Sequence, residues 1–147
     1  MTFSKSEQLK QRYEKKLKKA KQPSLKELKD SLQRLVNKYI RLRDKDEPCI
    51  SCGKWSNKFD AGHYINQGST GALRYNEDNI HKQCSLNCNK YLSGNKIKYR
   101  IALVKKIGSP RVELLESQIH DVKKWTREEL EELKTYYKEQ LSNIDKA

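Results

Sequence analysis

The sequence predicts an α+β domain in which a small, metal-braced centre of two strands and a helix lies between N- and C-terminal α-helices. Three observations lead to this fold class. Only 35% of the 147 residues are hydrophobic, which is too little for one large core. Apolar residues recur at helical spacing towards both ends of the chain. All four cysteines fall in a middle region that is rich in glycine, asparagine and serine.

The formal charge of the chain, +13, is unevenly distributed and predicts a polyanionic partner. Residues 1–22 carry 8 basic and 2 acidic residues, and residues 49–108 carry 10 and 3. Residues 109–147 carry 7 and 9 and are slightly acidic. Nucleic acid is the first expectation and a membrane surface the second. The basic leader, residues 1–22, is either a solvated, frayed helix or a segment that binds a nucleic-acid backbone.

The hydropathy pattern predicts a cytoplasmic protein. No apolar run approaches the ~18 residues of a membrane span, and with nucleic acid as the preferred polyanion no membrane partner is expected. The Lys-rich start of the chain lacks the apolar segment of a secretory signal. We therefore expect a reducing compartment, where cysteines bind metal more often than they form disulfides.

The first helix of the domain is predicted within residues 23–48 and spans residues 24–44. Ser24 serves as its N-cap and Glu27 as the capping-box partner. Residues at three- and four-residue spacing form one apolar face, comprising Leu25, Leu28, Leu32, Leu35, Val36, Tyr39 and Ile40.

Residues 49–108 are predicted to form the zinc-containing strand–strand–helix centre. The strands are expected at residues 59–65 and 79–83, separated by a loop at residues 66–78 that contains Gly68, Ser69, Thr70 and Gly71. The following helix begins near Asn89 or after Gly94, and ends at Ile107 because Gly108 can terminate it.

Residues 109–147 are predicted to form two C-terminal helices, which complete a single domain at residues 23–147. Pro110 occupies the first turn of the earlier helix. Thr126 and Glu129 form the capping box of the last helix. The apolar face of that helix comprises Leu130, Leu133, Tyr137 and Leu141.

The cysteines form two pairs with spacings that are typical of zinc ligands. Two residues separate Cys49 from Cys52, and three separate Cys84 from Cys88. We predict one structural Zn²⁺ bound by all four, which would supply folding energy that the sparse core lacks. The alternatives are two disulfides or four unrelated free thiols.

Polar residues between the cysteine pairs suggest phosphodiester hydrolysis. If two strands form a hairpin followed by a helix, then His63, Asn79 and Asn89 can converge. Neutral histidine is a suitable general base near pH 7, and a carboxamide can orient it through its second ring nitrogen or bind a metal. Asp60 offers the hard oxygen that Mg²⁺ or Mn²⁺ prefers.

Several ordered stretches of the chain resemble the NinG/Rap recombination-endonuclease family, within the HNH (ββα-metal) nucleases. They lie between residues 35 and 141, in the family's order. The stretches are YIRLRD at 39–44, CISCGK at 49–54, DAGHY at 60–64, LRYNEDNIHKQC at 73–84, CNKYLSGN at 88–95 and WT at 125–126.

This resemblance implies a metal-dependent endonuclease acting on branched DNA, such as Holliday junctions and D-loops, in the bacterial cytoplasm if phage-encoded. It implies that His63 is the general base, that Asn79 positions it and that Asn89 binds the catalytic metal. The residue before the base is usually an acidic or histidine ligand, but here it is Gly62. We expect Asp60, on the same strand face, to replace it.

Other residues carry weaker expectations. His81 is either an auxiliary catalytic residue or a structural residue of the strand. Five basic residues are candidate phosphate contacts, although each could also be an ordinary surface charge. They are Arg74, Lys82, Lys90, Lys96 and Lys98.

Two functions from other classes compete with the nuclease. One is a non-catalytic zinc module that binds DNA by charge, and the other is a protein-interaction zinc ribbon that uses the acidic C-terminal helix. Resolving a junction needs two cuts, so a homodimer is expected. The apolar faces of the first and last helices either form that dimer or pack within their own domain.

Overall fold

The computed structural model describes residues 3–68 and 71–146. Within them the chain forms five α-helices and one two-stranded sheet, which agrees with the predicted α+β class. The elements are α1 (Lys5–Ala20), α2 (Leu25–Arg43), β1 (Phe59–His63), β2 (Ile80–Cys84), α3 (Lys96–Ile107), α4 (Ser109–Ser117) and α5 (Arg127–Lys146). Met1, Thr2, Ser69, Thr70 and Ala147, which fall in the predicted leader, loop and last helix, lie outside the described residues.

Both predicted capping boxes of the domain are confirmed. Ser24 Oγ accepts the Glu27 backbone N–H at 3.1 Å, and the Glu27 carboxylate accepts the Ser24 N–H at 2.7 Å. Thr126 and Glu129 make the same reciprocal pair at 3.2 and 2.9 Å. Each box satisfies backbone donors that the helix cannot pair by itself, which explains why α2 and α5 begin where they do.

The two strands form an antiparallel hairpin with His63 opposite Ile80. β1 ends two residues earlier than predicted, because the N–H of Ile65 donates at 2.8 Å to the side chain of Asn79 rather than to a strand. Asn79 itself lies in a short 3₁₀ turn, Glu77–Asn79, so β2 begins one residue later than predicted.

The segment after β2 contains two helical stretches, whereas the sequence predicts one helix that begins near Asn89 or after Gly94. The first stretch begins at Ser85, four residues before Asn89, and the second agrees with a start after Gly94. A wide, π-type helical segment, Ser85–Tyr91, carries Asn89. Three residues with positive φ, Ser93, Gly94 and Asn95, then interrupt the helix at 48°, 91° and 45°. Regular α3 begins only at Lys96, and Gly108 ends it with φ 88°. Positive φ values are easiest for glycine and are incompatible with a right-handed helix, so the regular helix cannot continue through these three residues.

The main apolar core joins the hairpin to α2 and α5. Leu32, Val36 and Ile40 of α2 pack in one cluster with Ile80 of β2 and Leu130 of α5. A second, smaller cluster lies between α3 and α4 and includes Tyr99, Leu103, Val112 and Leu115. The core is therefore divided, as the low apolar content of the chain would require.

Helices α2 and α5 lie side by side within the chain. The guanidinium of Arg127 donates to the Pro23 carbonyl at 2.8 Å, and the rings of Tyr39 and Tyr137 lie 5.3 Å apart. The apolar faces of these helices thus pack within their own domain, the second of the two expected arrangements. In the described part of the chain, no helix is both long and apolar enough to cross a membrane.

Candidate functional site

The four cysteines meet at the base of the hairpin. Their Sγ atoms all lie within 4.8 Å of one another, and Cys52 and Cys84 are 3.9 Å apart. Tetrahedral zinc with Zn–S bonds of about 2.3 Å places its sulfurs roughly 3.8 Å apart. Each cysteine is a free thiol, so the structure does not contain the alternative disulfides. The cluster can hold a metal ion such as zinc.

Backbone and amide donors surround these sulfurs. The N–H of Cys88 donates to Cys84 Sγ at 3.3 Å, and Asn95 Nδ2 donates to Cys88 Sγ at 3.4 Å. Gly53, directly after the first pair, adopts φ 68° and thereby closes the tight turn that presents both thiols. Burial raises the pKa of both the Cys84 and the Cys88 thiol, and these donors oppose that effect by stabilising the thiolate, which is the form that binds metal.

A polar cavity of about 430 Å³ opens between α2, β1 and the Ser85–Tyr91 segment. Three predicted site residues, Asp60, His63 and Asn89, line it together. Residues from α2 and from the loop after β1 complete the lining. The full set is Asn37, Arg41, Asp60, Ala61, Gly62, His63, Asn66, Gln67 and Asn89.

The α2 residues of this cavity are not among those that the sequence pattern predicts for the site. Asn37 and Arg41 are one helical turn apart, each directly after a buried apolar residue, Val36 or Ile40. That position marks the border of the buried face, where a side chain can reach an adjoining groove. The sequence shows that Asn37 and Arg41 lie at this border, but only the structure shows that a groove adjoins it.

His63 is nearly buried, and its protonation state is defined by its surroundings. Nε2 lies 2.9 Å from the carbonyl oxygen of Arg74. A carbonyl only accepts hydrogen bonds, so Nε2 carries the proton and Nδ1 is left as the basic nitrogen. Burial, assisted by the charges of Lys96 and Arg74, lowers the pKa of His63 below 6.5, against the opposing hydrogen bond. The imidazole is therefore neutral at pH 7.

Asn79 acts on the backbone around His63 rather than on the imidazole. Its Oδ1 accepts the N–H of Ile65 at 2.8 Å, and its Nδ2 donates to the carbonyls of Ile65 and Leu73 at 2.9 and 3.2 Å. Ile65 lies two residues after His63, and Leu73 directly precedes Arg74. The expected bond from a carboxamide to the second ring nitrogen is thus replaced by a clamp on both backbone segments that hold the ring.

A physical reason excludes any ligand side chain at position 62. A Cβ built on Gly62 would lie 2.3 Å from Gln83 Oε1. The amide of Gln83 is held in place, since it donates to Ser51 Oγ at 2.7 Å and to the Gly94 carbonyl at 2.6 Å. The buried Gln83 side chain therefore occupies the space that a residue larger than glycine would need.

Asp60 and Asn89 lie in direct contact at the cavity wall. Asn89 Nδ2 donates to Asp60 Oδ2 at 2.9 Å. In the described part of the chain, the other carboxylate oxygen and the amide oxygen have no hydrogen-bond partner. One carboxylate and one amide oxygen beside a polar cavity are the hard donors that Mg²⁺ or Mn²⁺ accepts, with water and phosphate completing the coordination.

His81 does not line the polar cavity that contains His63. It is almost fully buried, and its Nδ1 lies 3.3 Å from the hydroxyl of Tyr99. It lines a separate cavity of about 360 Å³ together with Asp44 and Lys106. Burial lowers the pKa of His81 to about 3, which keeps it neutral. This environment favours the structural alternative over an auxiliary catalytic role.

The predicted phosphate contacts fall into different environments. Lys90 and Lys98 are exposed and available to a ligand. Lys82 is buried, donates to the Lys45 carbonyl at 3.2 Å and lies 4.2 Å from the centroid of the Phe59 ring. Its charge therefore stabilises the fold beside the cysteine cluster rather than facing solvent.

Arg74 and Lys96 lie close to His63 but are also partly engaged. Arg74 donates to Gln33 at 3.2 Å and forms an ion pair with Asp30 at 3.4 Å. Lys96 Nζ donates to the backbone carbonyl of His63. Burial lowers the pKa of Lys96 to about 8. Lys96 thus contacts the backbone of His63 directly, whereas the Arg74 side chain is held by α2, and neither side chain projects freely into solvent.

Comparison with known proteins gives a consistent result. A family model described as the bacteriophage lambda NinG protein matches residues 2–147. The chain is 44% identical over 113 residues to "Protein ninG" of Escherichia phage lambda, covering 76% of this chain and 54% of that protein. The identity is 43% over 113 residues to "Protein ninG" of both Escherichia phage 933W and Salmonella phage P22, covering 76% of this chain and 55% of each. The chain spans about half the length of these relatives. No solved structure matches it.

Proposed function

The chain belongs to the NinG family, and from this premise and the geometry of the polar cavity we propose that it is a metal-dependent DNA endonuclease. Its substrates would be branched recombination intermediates such as Holliday junctions and D-loops. The observation that carries the proposal is the convergence of a neutral imidazole, a carboxylate and a carboxamide, His63, Asp60 and Asn89, in one cavity.

His63 is the general base of this proposal. The Arg74 carbonyl retains the proton on Nε2, so Nδ1 takes a proton from water as the water oxygen attacks phosphorus. The bond from phosphorus to the leaving oxygen then breaks. A divalent cation held by oxygens of Asp60 and Asn89 would supply Lewis-acid polarisation of the phosphate and stabilise the leaving oxygen.

Arg41 is our candidate for holding the scissile phosphate. Its side chain comes from α2, lines the cavity that contains His63 and makes no ion pair within the described residues. A guanidinium can bind two phosphate oxygens at once and stays charged at all working pH values. This role would explain why a basic residue stands at the edge of the buried face of α2.

Exposed side chains close to Asn89 in the sequence favour a branched rather than a fully paired substrate. Tyr91 and Leu92 follow Asn89 within three residues, and both are exposed. Apolar and aromatic side chains can stack on unpaired bases, whose faces are hidden inside an intact duplex. A D-loop supplies such bases in its displaced strand, next to a backbone that the cavity could engage.

A cleavage panel tests the proposal. Junction, D-loop, flap, single-stranded and duplex DNA would be incubated with Mg²⁺ or Mn²⁺ and the wild type, His63→Ala or His120→Ala. We expect cleavage of branched DNA by the wild type and at least a ~100-fold loss in His63→Ala, with unchanged junction binding. His120 is exposed and remote in sequence from the site, so His120→Ala should cleave normally.

Other results would overturn the nuclease. If the wild type binds junctions in a salt-dependent manner but cuts no DNA form with either metal, the alternative of a non-catalytic zinc-containing DNA-binding module holds. If it shows no salt-dependent DNA affinity, the protein-interaction zinc ribbon is the better description.

A further inference from the structure

Helix α1 stands apart from the rest of the domain. It has 16 residues and a complete capping box, yet none of its described residues is buried. The side-chain hydrogen bonds of residues 3–20 are made locally, within residues 3–8, among the described residues. An isolated helix of this length is only marginally stable in water, so α1 is expected to have a partner.

One face of α1 carries an apolar stripe that DNA would not cover. Leu9, Tyr13 and Leu17 follow one another at four-residue spacing and are 64%, 65% and 44% exposed. A phosphate backbone would engage the lysines of this helix but would leave the stripe in water. The stripe therefore points to a protein surface with both apolar and acidic character.

The charges of α1 are arranged around this stripe. At 100° per residue, Lys5, Arg12 and Lys16 lie along one border of it, while Glu7 and Glu14 lie on the opposite side of the helix. The basic border runs for 11 residues, or about 16 Å along the axis. A complementary surface must therefore present acidic groups over a similar length beside an apolar residue.

The outer face of α5 has this character. The residues that line its groove are Glu128, Glu131, Glu132, Thr135, Tyr136 and Glu139, and none of them is basic. Glu128 and Glu139 are also 11 residues apart, and Tyr136 is 44% exposed. The opposite face of α5 is packed against the domain, so this outer face is open to a partner.

We propose that α1 of one copy docks on the outer face of α5 of a second copy, and that the exchange is reciprocal. The apolar stripe would cover Tyr136, and the basic border would face the glutamates. Two identical contacts would then close a twofold dimer. The surface is separate from the His63 cavity, so this inference does not rest on the proposed function.

The start of α2 favours a second copy over the same chain. The carbonyl of Pro23 accepts a hydrogen bond from Arg127 at the beginning of α5, which fixes the chain at the third residue after the end of α1. Although this point is fixed beside the start of α5, α1 does not fold back on its own domain, since none of its described residues is buried. In the described residues, no hydrogen bond or ion pair joins α1 to α5.

Two charge-reversal variants of the full chain test the proposal. One variant reverses the basic border of α1, and the other reverses the α5 face. Glu14→Lys, on the far side of α1, is the control. The substitutions are Lys5→Glu, Arg12→Glu and Lys16→Glu in the first, and Glu131→Lys, Glu132→Lys and Glu139→Lys in the second.

Mass would be measured by sedimentation at low and high salt. We expect wild type and control to be dimers that weaken with salt, each variant alone to dissociate at least ~10-fold more readily, and their mixture to form a heterodimer. A monomeric wild type, or variants that dimerise normally, would overturn the proposal. So would a mixture that stays monomeric, or an α1 variant that loses only DNA affinity.

Discussion

Single side chains determine the chemistry available in the polar cavity. The buried amide of Asn79 fixes Ile65 and Leu73, and through them the ring of His63. Gln83 fills the space beside Gly62 and so excludes a ligand there. Each acts through a contact that depends on residues far away in sequence. A sequence motif can therefore identify such residues, but it does not show the contacts through which they act.

The protonation of His63 leads to a pH prediction. In the proposed mechanism the neutral imidazole is the active form, and its fraction grows as pH rises through the pKa. Because burial lowers that pKa, the acidic limb of kcat/KM should lie below pH 6.5. Lys96→Met removes a positive charge near the ring and should move the limb upwards. A wild-type limb at or above pH 6.5 would contradict this assignment.

Asp60 is expected to bind the catalytic metal. Asp60→Asn removes one anionic oxygen, so Mn²⁺ affinity measured by calorimetry should fall at least ~10-fold, while the zinc content stays unchanged. The exposed residue Asp145 offers a matched control, since Asp145→Asn makes the same chemical change away from the cavity. Equal Mn²⁺ affinity in wild type and Asp60→Asn would remove Asp60 from the site.

At the scale of elements, the cysteine cluster joins parts that are distant in the sequence and that Gln83 also links through Ser51 and Gly94. It links the turn before β1 to the end of β2 and to the Ser85–Tyr91 segment. That segment carries Asn89, which contacts Asp60 on β1. A metal bound by the cluster would therefore help to hold the two sides of the cavity together.

Metal removal should first disrupt the hairpin and the Ser85–Tyr91 segment, which the cysteine cluster joins, and should affect the packed helices α2 and α5 less. We expect chelated protein, or Cys88→Ser, to lose bound zinc and to melt at least ~10 °C lower in circular dichroism. Ser24→Ala, which removes only a helix cap, should cost about 1 kcal/mol and leave the zinc content unchanged. A metal-free chain that melts like the wild type would contradict a structural role for the cluster.

At the scale of the whole molecule, charge separates the surfaces of the protein. The exposed lysines Lys90 and Lys98 follow the hairpin, near the cavity in sequence, whereas four glutamates line the outer face of α5. A polyanion would be attracted to the first surface and repelled by the second. The net charge of +13 is therefore distributed so that one surface attracts a polyanion and another repels it, which the composition does not show.

This arrangement predicts which lysines contribute to the salt dependence of junction binding. Lys90→Ala and Lys98→Ala should each reduce the slope of log affinity against log salt by about 1. Lys82→Met should lower thermal stability and leave the slope unchanged, because Lys82 is buried and bound to a carbonyl. Fluorescence anisotropy over a salt series measures the slopes, and thermal melting followed by circular dichroism measures the stability of Lys82→Met. Equal slopes for all four proteins would contradict the assignment.

The sequence by itself determined the local features of this protein. Capping boxes and apolar spacing predicted α2 and α5, since caps and periodicity depend on neighbours within one or two turns. Cysteine spacing predicted the metal cluster, and the motif identified Asp60, His63 and Asn89 as residues of one cavity.

Only the tertiary structure decided which residues share a surface. It separated His81 and Lys82 from the cavity, added Asn37 and Arg41 to it, and gave Asn79 its role as a backbone clamp. Strand alternation and helix register describe directions relative to one element only. Whether a polar side chain faces a cavity, a carbonyl or solvent depends on elements that arrive from elsewhere in the chain, and burial and hydrogen bonding then select its role.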